Sequence, residues 1–223
     1  MPAVPSAGRS ESLLLQGGAG NIETLVAAPP EPPVGIAVIC HPHPLYGGAL
    51  SNKVTYALAS CALKAGCVAA RFNFRGVGKS QGRHDEGRGE TEDTLAVIEW
   101  LRGQVPGAPL LLAGFSFGAF VSLKASARAA PALQVSIAPP FKYFAHEPLP
   151  TRPDAPWLVV HGTDDEVVDY AETRAVLDRY APPPELVTPA GVGHFFHGKL
   201  GVLDQAVGDF MRRHPFATLA RRT

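Results

Sequence analysis

The chain has 223 residues, and its twenty Lys and Arg balance twenty Asp and Glu, a formal net charge of zero. Hydrophobic residues make up 46% and charged residues 18%, so one domain spanning 1–223 with a large core is expected. Without a global basic field the chain is not built to hold nucleic acid or an anionic membrane, and the basic end (Arg212, Arg213, Arg221, Arg222) reads as solvation.

At the N-terminus, MPAVPSAGRSES lacks the basic segment and apolar run of a secretory leader, so a cytoplasmic location is expected. Ser12–Gln16 and Asn21–Ala28 read as two strands joined by the turn Gly17–Gly20, an antiparallel hairpin. Val34–Cys40 (VGIAVIC) is continuously apolar, the pattern of a strand covered on both faces. A helix from near Ser51 places Val54, Leu58, Cys61, Ala62 and Ala65 on one face, with Gly66 as its stop. Cys67–Phe74 is the next buried strand. Cys40, Cys61 and Cys67 are odd in number, lie in apolar surroundings and lack CxxC spacing, which fits buried free thiols in a reducing compartment.

The loop Arg75–Gly89 is polar and glycine-rich, and Arg83–Asp93, with both charge signs, reads as solvated. Next come a helix over 90–104 and a strand over Pro109–Ala113, then a small-residue helix over Phe117–Ala129 and a strand at Leu133–Ile137. The longest apolar stretch, Leu110–Leu123, has fourteen residues, short of the roughly 18 that a membrane span needs. Ala138–Ala155 is irregular and proline-rich; Trp157–His161 is another buried strand. Asp169 and Glu172 form a capping box for a helix with Thr173, Val176, Leu177 and Tyr180 on its apolar face. Glu185–Thr188 is the last strand, and Leu200, Leu203, Val207 and Phe210 stripe the last helix. This alternation predicts the α/β class, with a mainly parallel, doubly covered sheet whose chemistry gathers at the carboxyl ends of its strands.

The residues just beyond three of the strands are therefore informative. After Pro109–Ala113 stands Gly114-Phe115-Ser116-Phe117-Gly118, a G-x-S-x-G that opens a small-residue helix. A serine on such a strand–turn–helix is lifted above the sheet edge, and the Phe117 N–H at the helix N-terminus points at developing negative charge. After Trp157–His161 come three carboxylates, Asp164, Asp165 and Glu166; two read as a solvated loop, and one can orient a histidine. After Glu185–Thr188 comes Gly193-His194-Phe195-Phe196-His197, which offers a general base on a loop.

Serine, acid and histidine thus occur in the chain order of the α/β-hydrolases. Together with VICHPHPLYGG (38–48) and RFNFRGVGKS (71–80), these segments make the chain resemble a small serine α/β-hydrolase over nearly its whole length, most similar to the dienelactone-hydrolase-like branch. The resemblance implies the α/β-hydrolase fold and a Ser116–His194–Asp165 triad. Gly162, Asp165 and Val168 match the family's G-x-x-D-x-x-V segment, and its histidine follows a glycine, which selects His194 over His197. The second oxyanion donor in the family follows an H-G pair; His41-Pro42 stands there, which points to His43, with Leu45 second, since Pro42 and Pro44 have no N–H. His41 and His43 themselves read as loop-shaping side chains.

Two other patterns fit less well. FRGVGKS (74–80) resembles the end of a phosphate-binding loop, but Asn73 stands where that motif needs glycine. The hydrolase loop fits better, with Arg75 tying it down. His41-x-His43 and His194-x-x-His197 have poor metal-ligand spacing. No cofactor or metal is expected. The irregular stretch after Ile137 is too short for a lid domain, so the site should be open, bordered by Phe141, Tyr143 and Phe144 on one side and Leu45 and Tyr46 on the other. The expected activity is hydrolysis of a small-molecule carboxyl ester or thioester through an acyl-enzyme. The same triad could cleave peptides or transfer acyl groups. The alternative from another class, a non-catalytic hydrolase-fold binding protein, would be expected to lack a triad member. Neither the acyl group nor the oligomeric state is legible.

Overall fold

In the computed structural model, residues 2–219 are described; Arg221 and Arg222 of the basic end lie outside them. An eight-stranded sheet forms the centre. Its strands are β1 (Ser10–Gly17), β2 (Gly20–Ala27), β3 (Gly35–Cys40), β4 (Cys67–Phe72), β5 (Leu110–Phe115), β6 (Leu133–Ile137), β7 (Trp157–Val160) and β8 (Glu185–Val187), in the spatial order β1-β2-β4-β3-β5-β6-β7-β8. Every pairing from β4 to β8 is parallel, and only β2 runs against its neighbours, pairing antiparallel with both β1 and β4. This is the mainly parallel sheet with an N-terminal hairpin that the alternation predicts.

Both faces are covered, and the period of two decides which residue faces which layer. Ile36 and Val38 of β3, with Leu110 and Leu112 of β5, meet one layer, which includes Ile98, Phe120 and Leu177. Those residues lie on α2 (Arg88–Gln104), α3 (Phe117–Ala129) and α4 (Tyr170–Leu177). Ala37, Ile39, Leu111 and Ala113 meet the other layer, with Leu58 and Phe210 on α1 (Lys53–Lys64) and α5 (Leu200–Arg213). Burying each large side chain contributes about 1.5–3 kcal/mol. A short α6 (Phe216–Leu219) that the stripes do not predict adds Phe216 to the second layer.

Local chemistry moves three expected features. Asn52 caps α1 by accepting from Val54 N (2.9 Å) and Thr55 N (3.3 Å), so the helix starts slightly later than Ser51 suggests. The capping box of α4 is half formed: Asp169 accepts from Glu172 N at 2.8 Å, while the Glu172 carboxylate turns to Lys142. The segment Arg83–Asp93 is not a solvated loop. Glu90 is fully buried and accepts from the amides of Asp85 (2.9 Å) and Gly87 (2.8 Å), starting α2 at Arg88.

Asp93 is buried too. It takes a two-pronged pair from Arg75 (Nη2–Oδ1 2.7 Å, Nε–Oδ2 3.0 Å) and also accepts the Arg75 amide at 3.1 Å. The glycine-rich loop after β4 is thereby pinned to α2. At its other end Asn73 bonds Leu50 N and Glu23, and Ser80 bonds Asn73 O and Glu23 N. Its polar groups are spent on β2 and the loop before α1, not on an anion cradle.

The stretch after β6 forms one 3₁₀ turn, Phe141–Phe144, and no inserted helical lid. Among the described residues no helix is long and apolar enough to cross a membrane. All three cysteines are free and buried, and burial pushes each thiol up to about 12.

Candidate active site

The carboxyl ends of β5, β7 and β8 converge. Beyond β5, Ser116 adopts φ 53° and ψ −121°, a conformation that costs a residue with a side chain about 1–3 kcal/mol. Its neighbours hold it there. Ser116 N donates to Ile137 O at the end of β6 (2.8 Å), and Ser116 O accepts from Ala119 N (2.8 Å) and Phe120 N (3.3 Å), which starts α3.

The two glycines around it are demanded by close approach. A Cβ on Gly118 would lie 2.4 Å from both Cys40 O and His41 O, and one on Gly114 would lie 2.1 Å from Gly118 O. These are backbone atoms that cannot swing aside. Gly118→Ala should therefore cost about 3 kcal/mol or more, lowering Tm by roughly 6–12 °C in thermal melts. Gly103→Ala at an exposed position of α2, where nothing lies within 4 Å of the new Cβ, should be neutral or stabilising and is the control.

Asp165 and His194 meet Ser116 from two other loops. His194 Nε2 lies 3.1 Å from Ser116 Oγ, and His194 Nδ1 lies 2.8 Å from Asp165 Oδ2. The Asp165 side chain is 1% exposed and His194 is 2% exposed. Asp165 Oδ1 accepts from Val167 N (2.9 Å) and Val168 N (2.7 Å). Burial opposes the carboxylate's charge, but hydrogen bonds from His161, His194 and the Val168 amide outweigh it and hold this carboxyl well below the usual range. The His194 ring rests against Phe115 (4.9 Å between centroids) and meets Phe195 edge-on (5.0 Å).

Glu166, read as solvated, has a task that the sequence did not reveal: its Oε2 accepts the His194 amide at 3.1 Å and so holds the histidine loop. His161, read only as the end of a strand, is fully buried beside Asp165. Its one signal in the sequence is a histidine closing an apolar run.

The loop after β3 completes the site. His41 is buried; it accepts the Phe74 amide on Nε2 (3.0 Å) and donates Nδ1–H to Pro42 O (2.6 Å), clipping the ends of β3 and β4 together. Burial pushes its pKa down to about 4, so it stays neutral. His43 packs against Phe117 and His84, each 4.8 Å between ring centroids, and its Nδ1 accepts the Leu45 amide at 3.2 Å. Burial, with His84 alongside, lowers the His43 pKa and keeps that nitrogen an acceptor.

This corrects Leu45 as an oxyanion donor, because its N–H is already engaged. The amides of Phe117 and His43 have no acceptor within the described residues. On the loops that flank the triad Leu45, Tyr46 and Tyr143 are exposed, as are Val167 and Phe195, which the sequence did not single out; the Tyr143 hydroxyl donates to Val167 O at 3.2 Å. Phe141 and Phe144 are corrected as cleft borders. They turn inward, Phe144 stacking on Phe120 at 3.9 Å and Phe141 meeting it edge-on at 6.5 Å. Among the described residues, no three His, Cys, Asp or Glu side chains are grouped so as to hold a metal ion.

Residues 21–147 match the family model of the X-Pro dipeptidyl-peptidase (S15 family). An α/β serine hydrolase without a lid from Xanthomonas campestris is 40% identical, covers 96% of this chain and 97% of its own, and superposes with a TM-score of 0.88. An α/β serine hydrolase homologue from Coxiella burnetii is 42% identical over 89% of this chain and 96% of its own, with a TM-score of 0.85. An uncharacterized protein of Rickettsia prowazekii is 31% identical over 89% of this chain and 87% of its own length. At 17% identity, a dienelactone hydrolase from Anabaena variabilis shares the fold, with a TM-score of 0.76.

Proposed function

Because the chain belongs to the lid-less α/β serine hydrolases and, over residues 21–147, to the X-Pro dipeptidyl-peptidase (S15) family, we propose that it cleaves carboxyl esters or thioesters through an acyl-enzyme, with Ser116 as nucleophile, His194 as base and Asp165 as the acid that orients it. The observation that carries this reading is the continuous relay Ser116 Oγ–His194 Nε2 (3.1 Å) and His194 Nδ1–Asp165 Oδ2 (2.8 Å). As Oγ bonds to the acyl carbon, its proton passes to His194 Nε2, and Asp165 stabilises the imidazolium. The carbonyl oxygen becomes an oxyanion facing the Phe117 and His43 amides. His194 then gives the proton to the departing alkoxide or thiolate, leaving Ser116 acylated, and water repeats the sequence to free the acid.

The exposed side chains of Leu45, Tyr46 and Tyr143 offer a largely apolar surface for the chain of a small acyl substrate. The family model favours a second reading, peptide cleavage by the same triad. An enzyme that counts two residues from a free N-terminus needs an anionic pocket for the ammonium. Beside the triad Glu166 is exposed and keeps its charge while one of its oxygens accepts the His194 amide, so assay decides between the two readings. Side-by-side assays should separate the two readings: p-nitrophenyl esters from acetate to decanoate and matching thioesters are expected to turn over, and dipeptidyl X-Pro p-nitroanilides are not. A kcat/KM higher for an X-Pro anilide than for every ester would replace the esterase reading with the peptidase one.

A further inference from the structure

We infer that His161 is a positioning residue for this hydrolase: its Nε2–H clamps the turn that carries Asp165, so that the carboxylate meets His194 in one orientation. The inference rests on the triad proposed above. His161 follows directly on β7, and its amide donates to Val187 O of β8 at 3.0 Å. Its side chain is completely buried.

Nε2 lies 2.9 Å from Val168 O and 3.3 Å from Asp165 Oδ2. Both neighbours are acceptors, so Nε2 carries the ring proton and Nδ1 carries the lone pair. Nδ1 is buried and has no partner among the described residues. An unpaired buried nitrogen is costly, and an apolar ring of the same size would avoid that cost. What the imidazole supplies in return is the Nε2 contact.

That contact closes a small circuit. Val168 gives its N–H to Asp165 Oδ1 (2.7 Å), and its carbonyl takes the His161 N–H. The residue that fixes one carboxylate oxygen is thus itself fixed by His161, while the same ring nitrogen borders the other oxygen. His194 Nδ1 shares that second oxygen, at 2.8 Å. The titratable groups around the ring are Asp165, with His194 behind it, and Tyr170, whose ring meets His161 edge-on at 5.8 Å between centroids. Glu166 acts on the His194 amide. Without the His161 donor the turn loosens, and Oδ2 becomes more basic toward His194.

The test compares His161→Phe, which keeps a ring and deletes the donor, with His161→Gln, whose amide N–H reaches the place of Nε2. Fluorophosphonate labelling and p-nitrophenyl acetate hydrolysis are followed from pH 5 to 9. His161→Phe should lower kcat about 10–100-fold, the range in which misplacing a supporting contact acts. KM should stay within about twofold, and the acid-limb midpoint should move up by about half a pH unit or more. His161→Gln should recover most of kcat and return the midpoint.

If His161→Phe does not fold, His161→Asn takes its place, because its amide overlays Nδ1 and cannot reach Val168 O; the same losses are expected. A folded donor-deleted variant with wild-type kcat and midpoint overturns the inference. So does equal impairment of the Gln variant with an unmoved midpoint, which is the signature of packing alone. Wild-type protein that fluorophosphonate does not label overturns the triad, and this inference with it.

Discussion

Ser116→Ala should lower kcat/KM on every acyl substrate by about 10⁴–10⁶-fold, the loss expected when the nucleophile of a relay is removed. Labelling by fluorophosphonate should vanish with it. The fold should survive, because alanine keeps the Cβ and the φ of 53° while leaving the bonds to Ile137, Ala119 and Phe120 in place. The same backbone angle gives a second, opposite expectation for Ser116→Gly. Glycine adopts that conformation without strain, so this variant should be equally inactive yet more stable than Ser116→Ala by about 1 kcal/mol, roughly 2–4 °C in Tm. Strain relieved at the residue that loses the chemistry would show that the elbow is held under tension by its surroundings. Turnover by Ser116→Ala within tenfold of wild type would remove Ser116 from its role.

How much of this was legible depended on whether the cause was local. The near-continuous apolar run Val34–Cys40 announces a strand covered on both faces, since burial on two sides leaves no place for alternating polar residues. The elbow was legible for the same reason: Gly114, Ser116 and Gly118 meet a steric demand inside five residues. The strand order was not legible, because placing β4 between β2 and β3 depends on edges far apart in the chain. Glu90 and Asp93 look like surface charge until their partners are known; those partners are the amides of a tight turn and Arg75, eighteen residues before Asp93. The Leu45 amide looked available until the His43 ring folded back onto it. Phe141 and Phe144 sat on a loop at the correct end of the sheet, and nothing in their spacing told inward from outward. His161 and Glu166 support the site through contacts that only the packed loops create.

Asp165→Asn should be nearly as damaging as loss of the serine, about 10⁴-fold in kcat, and the surrounding donors dictate how. The Val167 and Val168 amides both point at Oδ1, so the asparagine must keep its carbonyl oxygen there. Its NH₂ then occupies the place of Oδ2. From that place it donates to His194 Nδ1, driving the imidazole proton to Nε2, where it faces Ser116 Oγ and can no longer accept. It also confronts the His161 Nε2–H, 3.3 Å away, donor against donor. Stability should change with pH in a way that identifies the carboxylate. Its folded pKa lies below the unfolded value of about 3.9, so its contribution is fully present above that value and is lost as pH falls toward the lower folded one. Denaturant unfolding should accordingly show a gap between wild type and Asp165→Asn that is wide at pH 6 and narrower at pH 3. A gap of equal size at both pH values would mean that the damage comes from the misplaced amide alone, and that the buried charge of Asp165 contributes nothing to holding the two loops together.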